Sequence, residues 1–356
     1  MSSPKILHNE KAIRQWNKAV FSSNSIAPYS FNPSLFYFFQ RHFRWKPYYF
    51  ILWQDNKIAG LFPLINTGKA IVSLPHFSYG GIWQVLSVTN KSEIIDNLIA
   101  FIRQNGTDPG FYNVETEDFN YATNFSGSFF IRSLDNPQDN KFKKSEKVTY
   151  LMELYDEQQT FASLSSNLRR KIRKASKAGF EFKTGGLELL EDFYSVYIPN
   201  IRLLKSLNYG KIFFKDLLTT WDFGNIMFFV AYKNSIPVAS SLLASYGAFY
   251  ENIYFATLPA FRRFYLADWL HWQMIKKVMN EAEKDSISKP IYSYGRSTEF
   301  SSVHKYKMHW PVKVVPLYVY SNINDFKKTS LLTGIWKILP EIITKPLSPK
   351  LIKHIY

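Results

Sequence analysis

Hydrophobic runs recur in one order twice along the chain, over residues 48–115 and again over 226–294. The first copy reads Tyr48–Gln54, Lys57–Ile65 and Ala70–Leu74, a loop Pro75–Trp83, an amphipathic stretch Ser92–Arg103 and a last run Phe111–Glu115. The second reads Ile226–Tyr232, Ile236–Tyr246 and Phe249–Thr257, a loop Leu258–Phe264, an amphipathic stretch Leu266–Glu283 and a last run Ile291–Tyr294. Short runs rich in Phe, Ile, Val and Tyr between turn residues predict strands, and helical spacing of apolar positions predicts a helix. Asn56 and Asn234 mark the same hairpin turn in each copy. A supersecondary order that repeats predicts a duplicated domain, each copy a mixed sheet with one helix crossing between its third and fourth strands.

The length of 356 residues suits two domains of about 150 residues, which we place at 1–155 and 156–320, with a tail at 321–356. A hydrophobic content of 46% with 18% aromatic residues supplies two cores, so the chain is expected to be globular throughout. The segment Met1–Trp16 lacks the apolar block of a secretory signal, and no stretch approaches the length of an uncharged membrane span. The expected location is therefore cytoplasmic. The absence of cysteine excludes thiol nucleophiles, disulfides and thiolate metal sites, and the seven histidines show no paired helical spacing, so no metal is expected.

Charge changes the picture by its distribution. Lys and Arg exceed Asp and Glu by 44 to 28, and between Arg169 and Lys177 six cations stand without an acid. Possible caps at Ser165, Ser166 and Asn167, an apolar face of Leu168, Ile172 and Ala175, and a stop at Gly179 predict a short basic helix there. It is either a solvated surface or, through Arg169, Arg170 and Arg173, a contact for phosphates. The loop Leu74–Gly81 places Tyr79 beside Gly80 and Gly81, a sequence that suits either a close backbone approach to a ligand or a plain turn. After the last core run, Gly295, Arg296 and Ser297, followed by Lys305 and Lys307, collect donors for a phosphate or carboxylate if residues 305–307 form a strand; otherwise they solubilise an edge. The segment Leu331–Tyr356 mixes apolar residues with Lys337, Lys345, Lys350 and Lys353, which suits an anionic membrane surface or, the reading we prefer, packing on the first domain.

The loop SLPHFSYGG, the segment NLRRKIRKA, the run Tyr292–Ser297 with Lys307 and Trp310, and the tail IWKILP occur in one order. In this the chain resembles the Fem-type branch of the acyl-CoA N-acyltransferase (GNAT) superfamily, particularly its exopolysaccharide- and exosortase-associated group. The resemblance implies an α/β fold of tandem GNAT-like domains and transfer of an aminoacyl or acyl group to an amine of a cell-envelope or exopolysaccharide precursor. By the same resemblance Tyr79, Gly80 and Gly81 line an acceptor groove, while Gly295, Arg296, Ser297 and Lys307 belong to the second domain's site. The chain departs from the group at Ser293, where Asp is usual, and at Pro311, where Gly is usual, and it has no heptad arm. Acetyltransferases that grip coenzyme A carry a glycine-rich loop before the crossing helix, so that helix N-terminal amides hold the pyrophosphate. Here that loop offers Arg262, Arg263, Ala267 and Asp268, with Tyr265 at the middle glycine's place.

Acyl transfer to an amine needs orientation and a held oxyanion rather than a nucleophilic triad, and orientation alone supplies roughly 7–11 kcal/mol of a barrier. Lys307 and Arg296 are the expected catalytic pair, holding phosphate or oxyanion charge, with Glu251 and Asp268 as candidate bases. No tightly bound cofactor is expected. The expected donor is aminoacyl-tRNA, acyl-CoA or an acyl carrier protein, and the expected acceptor a phosphorylated or lipid-linked saccharide, with tRNA and the inner face of the cytoplasmic membrane as further partners and no DNA. The rivals are a CoA- or carrier-dependent N-acetyltransferase acting on an amino sugar, a nucleic-acid or polysaccharide binder, and a degenerate duplicate.

Overall fold

A computed structural model describes residues 4–23, 26–86, 90–104, 108–116, 127–134, 137–323 and 347–352. The chain divides into two compact units, residues 1–146 with 316–326, and residues 147–315 with most of the remaining C-terminus.

In the first unit the elements are β1 (Lys5–Leu7), α1 (Asn9–Phe21), α2 (Ser34–Phe38), β2 (Lys46–Gln54), β3 (Lys57–Asn66), β4 (Ala70–Val72), β5 (Trp83–Gln84), α3 (Lys91–Gln104), β6 (Gly110–Glu115) and β7 (Ser128–Leu134). Its sheet runs β1-β6-β2-β3-β4-β7, and Leu317–Ser321, from a strand that follows the second unit, closes it by pairing with β7. β2 is apolar almost without a break because both sheet faces are covered. Tyr48, Phe50 and Leu52 pack with Ile95, Leu98 and Ile99 of α3. Tyr49 points the other way, 5.0 Å from Trp16 of α1.

The second unit contains β8 (Lys143–Glu153, chiefly in this unit), α4 (Glu157–Ser163), α5 (Ser166–Ser176), β9 (Glu181–Gly185), α6 (Leu190–Leu203), α7 (Lys211–Thr220), β10 (Ile226–Lys233), β11 (Ile236–Tyr246), β12 (Phe249–Thr257), α8 (Leu266–Lys284), β13 (Ile291–Ser293), β14 (Ser297–Thr298), α9 (Ser302–Lys307) and the start of β15 (Lys313–Ser321). Its sheet runs β9-β10-β11-β12-β13-β8, antiparallel except for the parallel pair β12/β13. Leu168, Ile172 and Ala175 of α5 share a core with Trp269 and Leu270 of α8, as the apolar spacing of α5 predicts. Phe193 of α6 covers the other face, 4.4 Å from Phe228.

The duplication reaches into backbone detail. Asp55-Asn56 and Asn234-Ser235 are two-residue turns with positive φ at both positions, the geometry that matches strand twist in a tight hairpin. Each hairpin then bulges at the same place, between Leu52 and Trp53 and between Ala231 and Tyr232. The copies part at the fourth run: β13 lies parallel beside the third strand β12, whereas β6 lies parallel beside the first strand β2, and β7 takes the place next to β4.

Most of the tail, 324–346 and 353–356, lies outside the described residues. Its described parts go to different units: Ser321 and Asn322 donate to the carbonyls of Phe129 and Gly127 in the first unit, whereas the Ser348 hydroxyl accepts from the Asn208 amide at 2.6 Å, which ties Leu347–Ile352 to the second.

Candidate active site

The parallel pair β12/β13 is short. Phe249, Tyr250 and Glu251 pair with Ile291, Tyr292 and Ser293, after which β13 ends and β12 continues to Thr257. Leu242 pairs with Tyr254 and Leu243 with Asn252, so Ile253 is an extra residue that bulges β12 just past Glu251. The two strands therefore separate at their C-terminal ends, where open α/β sheets hold ligands. Gly295 turns the chain out of β13 with φ of +67°, and a Cβ there would sit 3.1 Å from the Asn252 carbonyl oxygen. Glycine meets both the backbone angle and the close approach.

α9 brings Lys307 back onto this turn. The Ser301 hydroxyl caps α9 by accepting from the His304 amide at 3.2 Å. Lys307 Nζ donates to the carbonyls of Gly295 at 2.8 Å and Arg296 at 3.3 Å, and lies 4.9 Å from the centre of the Tyr150 ring. An ammonium carries three donors, so one remains for a further acceptor. Burial drives the Lys307 amine down to about 7, while the Glu251 carboxylate pulls it the other way. Glu251 is fully buried and accepts from the Ser293 hydroxyl at 2.9 Å. The Ser293 oxygen in turn accepts from the Gly295 amide at 3.1 Å. Ser297 donates to the Tyr150 hydroxyl at 2.8 Å, which lies 2.7 Å from His304 Nδ1.

On the far side of β12, α8 starts at Tyr265, which holds the left-handed φ of +60° that glycine adopts readily. No side chain caps this helix, leaving its first-turn amides at the positive end of the helix dipole. Lys171 and Lys174 of α5 stand 5.7 and 5.6 Å from the Tyr265 ring centre. Asp268, in the first turn, is 5% exposed, and burial raises its carboxyl above the ordinary range against the pull of Lys171. One turn further, His271 is pushed well below its ordinary value by burial and stacks 4.1 Å from Phe255.

The structure brings Gly295, Arg296, Ser297 and Lys307 together, and sequence reasoning located them through the run after the last core strand. It does not group Lys305 with Lys307. Residues 302–307 are helical rather than a strand, so Lys305 is exposed while Lys307 turns inward. Tyr79 is fully buried, its carbonyl accepting from Ser30 at 2.8 Å. Gly80 abuts Ser73 and Gly81 abuts Ser133, so this loop packs within the first unit. Arg262 is spent on structure, donating to Thr257 and to Asn200 Oδ1, and Arg263 lies on the Phe264 ring. Ala267 and Asp268 lie in the first turn of α8. Of the α5 cations, Arg169 donates to the Ala162 carbonyl, Arg170 to Asn167, and Arg173 lies over Phe161. Lys171 and Lys174 are the pair turned to the α8 terminus. Sequence reasoning passed over them because neighbouring cations on one helix differ only in the face they occupy.

The order β9 to β12, the crossing helix α8 and the parallel return β13 define the GNAT fold. Residues 162–287 match the family model described as an acetyltransferase (GNAT) domain. Among solved structures, FemX is similar with a TM-score of 0.59 at 11% identity, covering 93% of this chain and all of that one. L-PGS from Bacillus licheniformis has a TM-score of 0.52 at 10% identity, covering 95% and 100%. The tandem GNAT protein from the clavulanic acid biosynthesis pathway has a TM-score of 0.50 at 8% identity, covering 89% and 97%. A search of curated proteins gives no match. The chain thus has a tandem GNAT-like α/β fold, shared with FemX, L-PGS and the tandem GNAT protein.

Proposed function

We propose that the protein is an N-acyltransferase that passes an aminoacyl or acyl group from an activated ester or thioester to an amine of a cell-envelope or exopolysaccharide precursor. The observation that carries this reading is the buried Lys307 amine, held on the Gly295 and Arg296 carbonyls beside the fully buried Glu251, where β12 and β13 separate. The acceptor nitrogen attacks the activated carbonyl, forming the C–N bond. The carbonyl oxygen takes the negative charge, and collapse expels the donor's oxygen or sulfur. Lys307 holds the developing charge: its amine, near 7 at rest, gains proton affinity as an anion approaches. The proton lost by the attacking amine passes to the Glu251 carboxylate and leaves with the departing group. Arg296, next to the Gly295 turn, binds phosphate of the donor or acceptor.

The test is acyl transfer by the purified protein with a panel of aminoacyl-tRNAs and acyl-CoAs against amino-sugar and lipid-linked acceptors. Activity that falls at least a hundredfold in both Lys307→Met and Glu251→Gln supports the reading, and near-normal turnover in either removes that residue from the mechanism. A second reading, an N-acetyltransferase using coenzyme A, is favoured by the uncapped α8 terminus beside Lys171 and Lys174. Tyr265 argues against it, because its side chain occupies the place of the loop's middle glycine. Calorimetry decides: micromolar binding of acetyl-CoA favours this second reading, and its absence with measurable tRNA binding favours the first.

A further inference from the structure

The corner between α6 and α7 exposes apolar side chains where a soluble surface would bury or avoid them. Leu203 and Leu204, at the end of α6, are 55% and 56% exposed, and Ile212, in the first turn of α7, is 58% exposed. The segment 347–352 is fastened to the same corner, since Ser348 bonds both the amide and the carbonyl of Asn208, and a Cβ on Gly210 would lie 3.7 Å from Pro349. That segment adds Leu347 and Leu351, also exposed. Lys205, Lys215 and Lys350 are exposed on the same elements and are unpaired with any acid among the described residues. Lys211 bridges Glu191.

We propose that this shoulder docks on an anionic bilayer. Leucine and isoleucine tips ringed by lysines carry both determinants of interfacial binding, apolar area to bury at the headgroup boundary and positive charge to meet acidic lipids. The shoulder also adjoins the site. Tyr209 lies between Asn208 and Gly210, and its ring stands 5.8 Å from that of Tyr254 on β12, three residues past Glu251. Docking here would bring this end of the site near the headgroup layer, which suits a lipid-linked acceptor. This last point rests on the proposed acyltransferase reading, whereas membrane binding itself does not. Among the described residues no helix is long and apolar enough to cross a membrane, so the contact is peripheral.

Sedimentation of the full chain with vesicles tests it without any activity assay. Vesicles of phosphatidylcholine with phosphatidylglycerol should pull the protein down, and phosphatidylcholine alone should bind it at least tenfold more weakly. Each lysine near an acidic surface is worth about fivefold, so Lys205→Glu with Lys350→Glu should cost more than tenfold. Leu203→Ser with Leu204→Ser should cost at least tenfold, and Ile212→Ser serves as an independent variant should that pair misfold by circular dichroism. Equal binding to both vesicle types, or unchanged binding in the charge and apolar variants, overturns the proposal. So does a dimer in light scattering that the leucine variants dissociate, since a second copy would then occupy the face. A wild-type chain that transfers acyl groups but binds neither vesicle type would sink this proposal alone, and one that binds acidic vesicles but transfers nothing would sink only the catalytic reading.

Discussion

Replacing Lys307 with Met should make the protein more stable while abolishing its activity. Methionine has similar length and no charge, so it can follow the path of the lysine stem to the Gly295 turn. In the folded state the amine sits at about 7 against an ordinary 10.5. That interval corresponds to about 5 kcal/mol of stability withheld at low pH, and about 4 kcal/mol at pH 7. Against this stand two hydrogen bonds to the carbonyls of Gly295 and Arg296, whose loss costs about 2–3 kcal/mol. The net expectation is a gain of about 1–2 kcal/mol at pH 7, or several degrees in Tm.

The pH dependence identifies the cause. Between 7 and 10.5 the unfolded chain binds a proton that folded Lys307 does not, so wild-type stability rises with pH across that window. The variant has no such group, and its advantage should shrink by about 2.3 kcal/mol from pH 7 to pH 9, the slope approaching about 1.4 kcal/mol per pH unit once folded Lys307 is neutral. Urea unfolding of both proteins at pH 6, 7, 8 and 9 measures it. A Lys307→Met protein that is less stable at every pH, or whose difference from wild type does not change with pH, would refute the argument that the amine is held near neutrality by burial.

Two further outcomes follow from backbone geometry. Gly295→Ala should cost about 1–2 kcal/mol in urea unfolding and lower turnover more than it weakens donor binding, because the added Cβ meets the Asn252 carbonyl and shifts the carbonyls that hold Lys307. Tyr265→Gly should stabilise by about 1 kcal/mol through relief of the left-handed φ, and it should tighten acyl-CoA binding in calorimetry by opening the α8 terminus.

The pattern of apolar and turn residues set the local structure of both copies. The turns at Asn56 and Asn234, the strands on either side of them, the apolar face of α5 and the crossing helices Lys91–Gln104 and Leu266–Lys284 all form where the pattern puts them, because hairpin turns and amphipathic faces depend on residues a few positions apart. It also located the Gly295–Lys307 region through its order after the last core strand. Which partner each strand takes is a matter of the assembled fold: β6 pairs beside β2 and β13 beside β12, and a crossing helix of either sequence reaches both places. The fold decided as well that Lys307 is buried and Lys305 exposed, that Arg262 is bound to Thr257, and that Glu251 stands where two strands separate. The bonds of Ser293 with Glu251 and of Arg262 with Asn200 join residues about 40 to 60 positions apart, and the burial of a charge is set by what folds over it rather than by its neighbours in the chain.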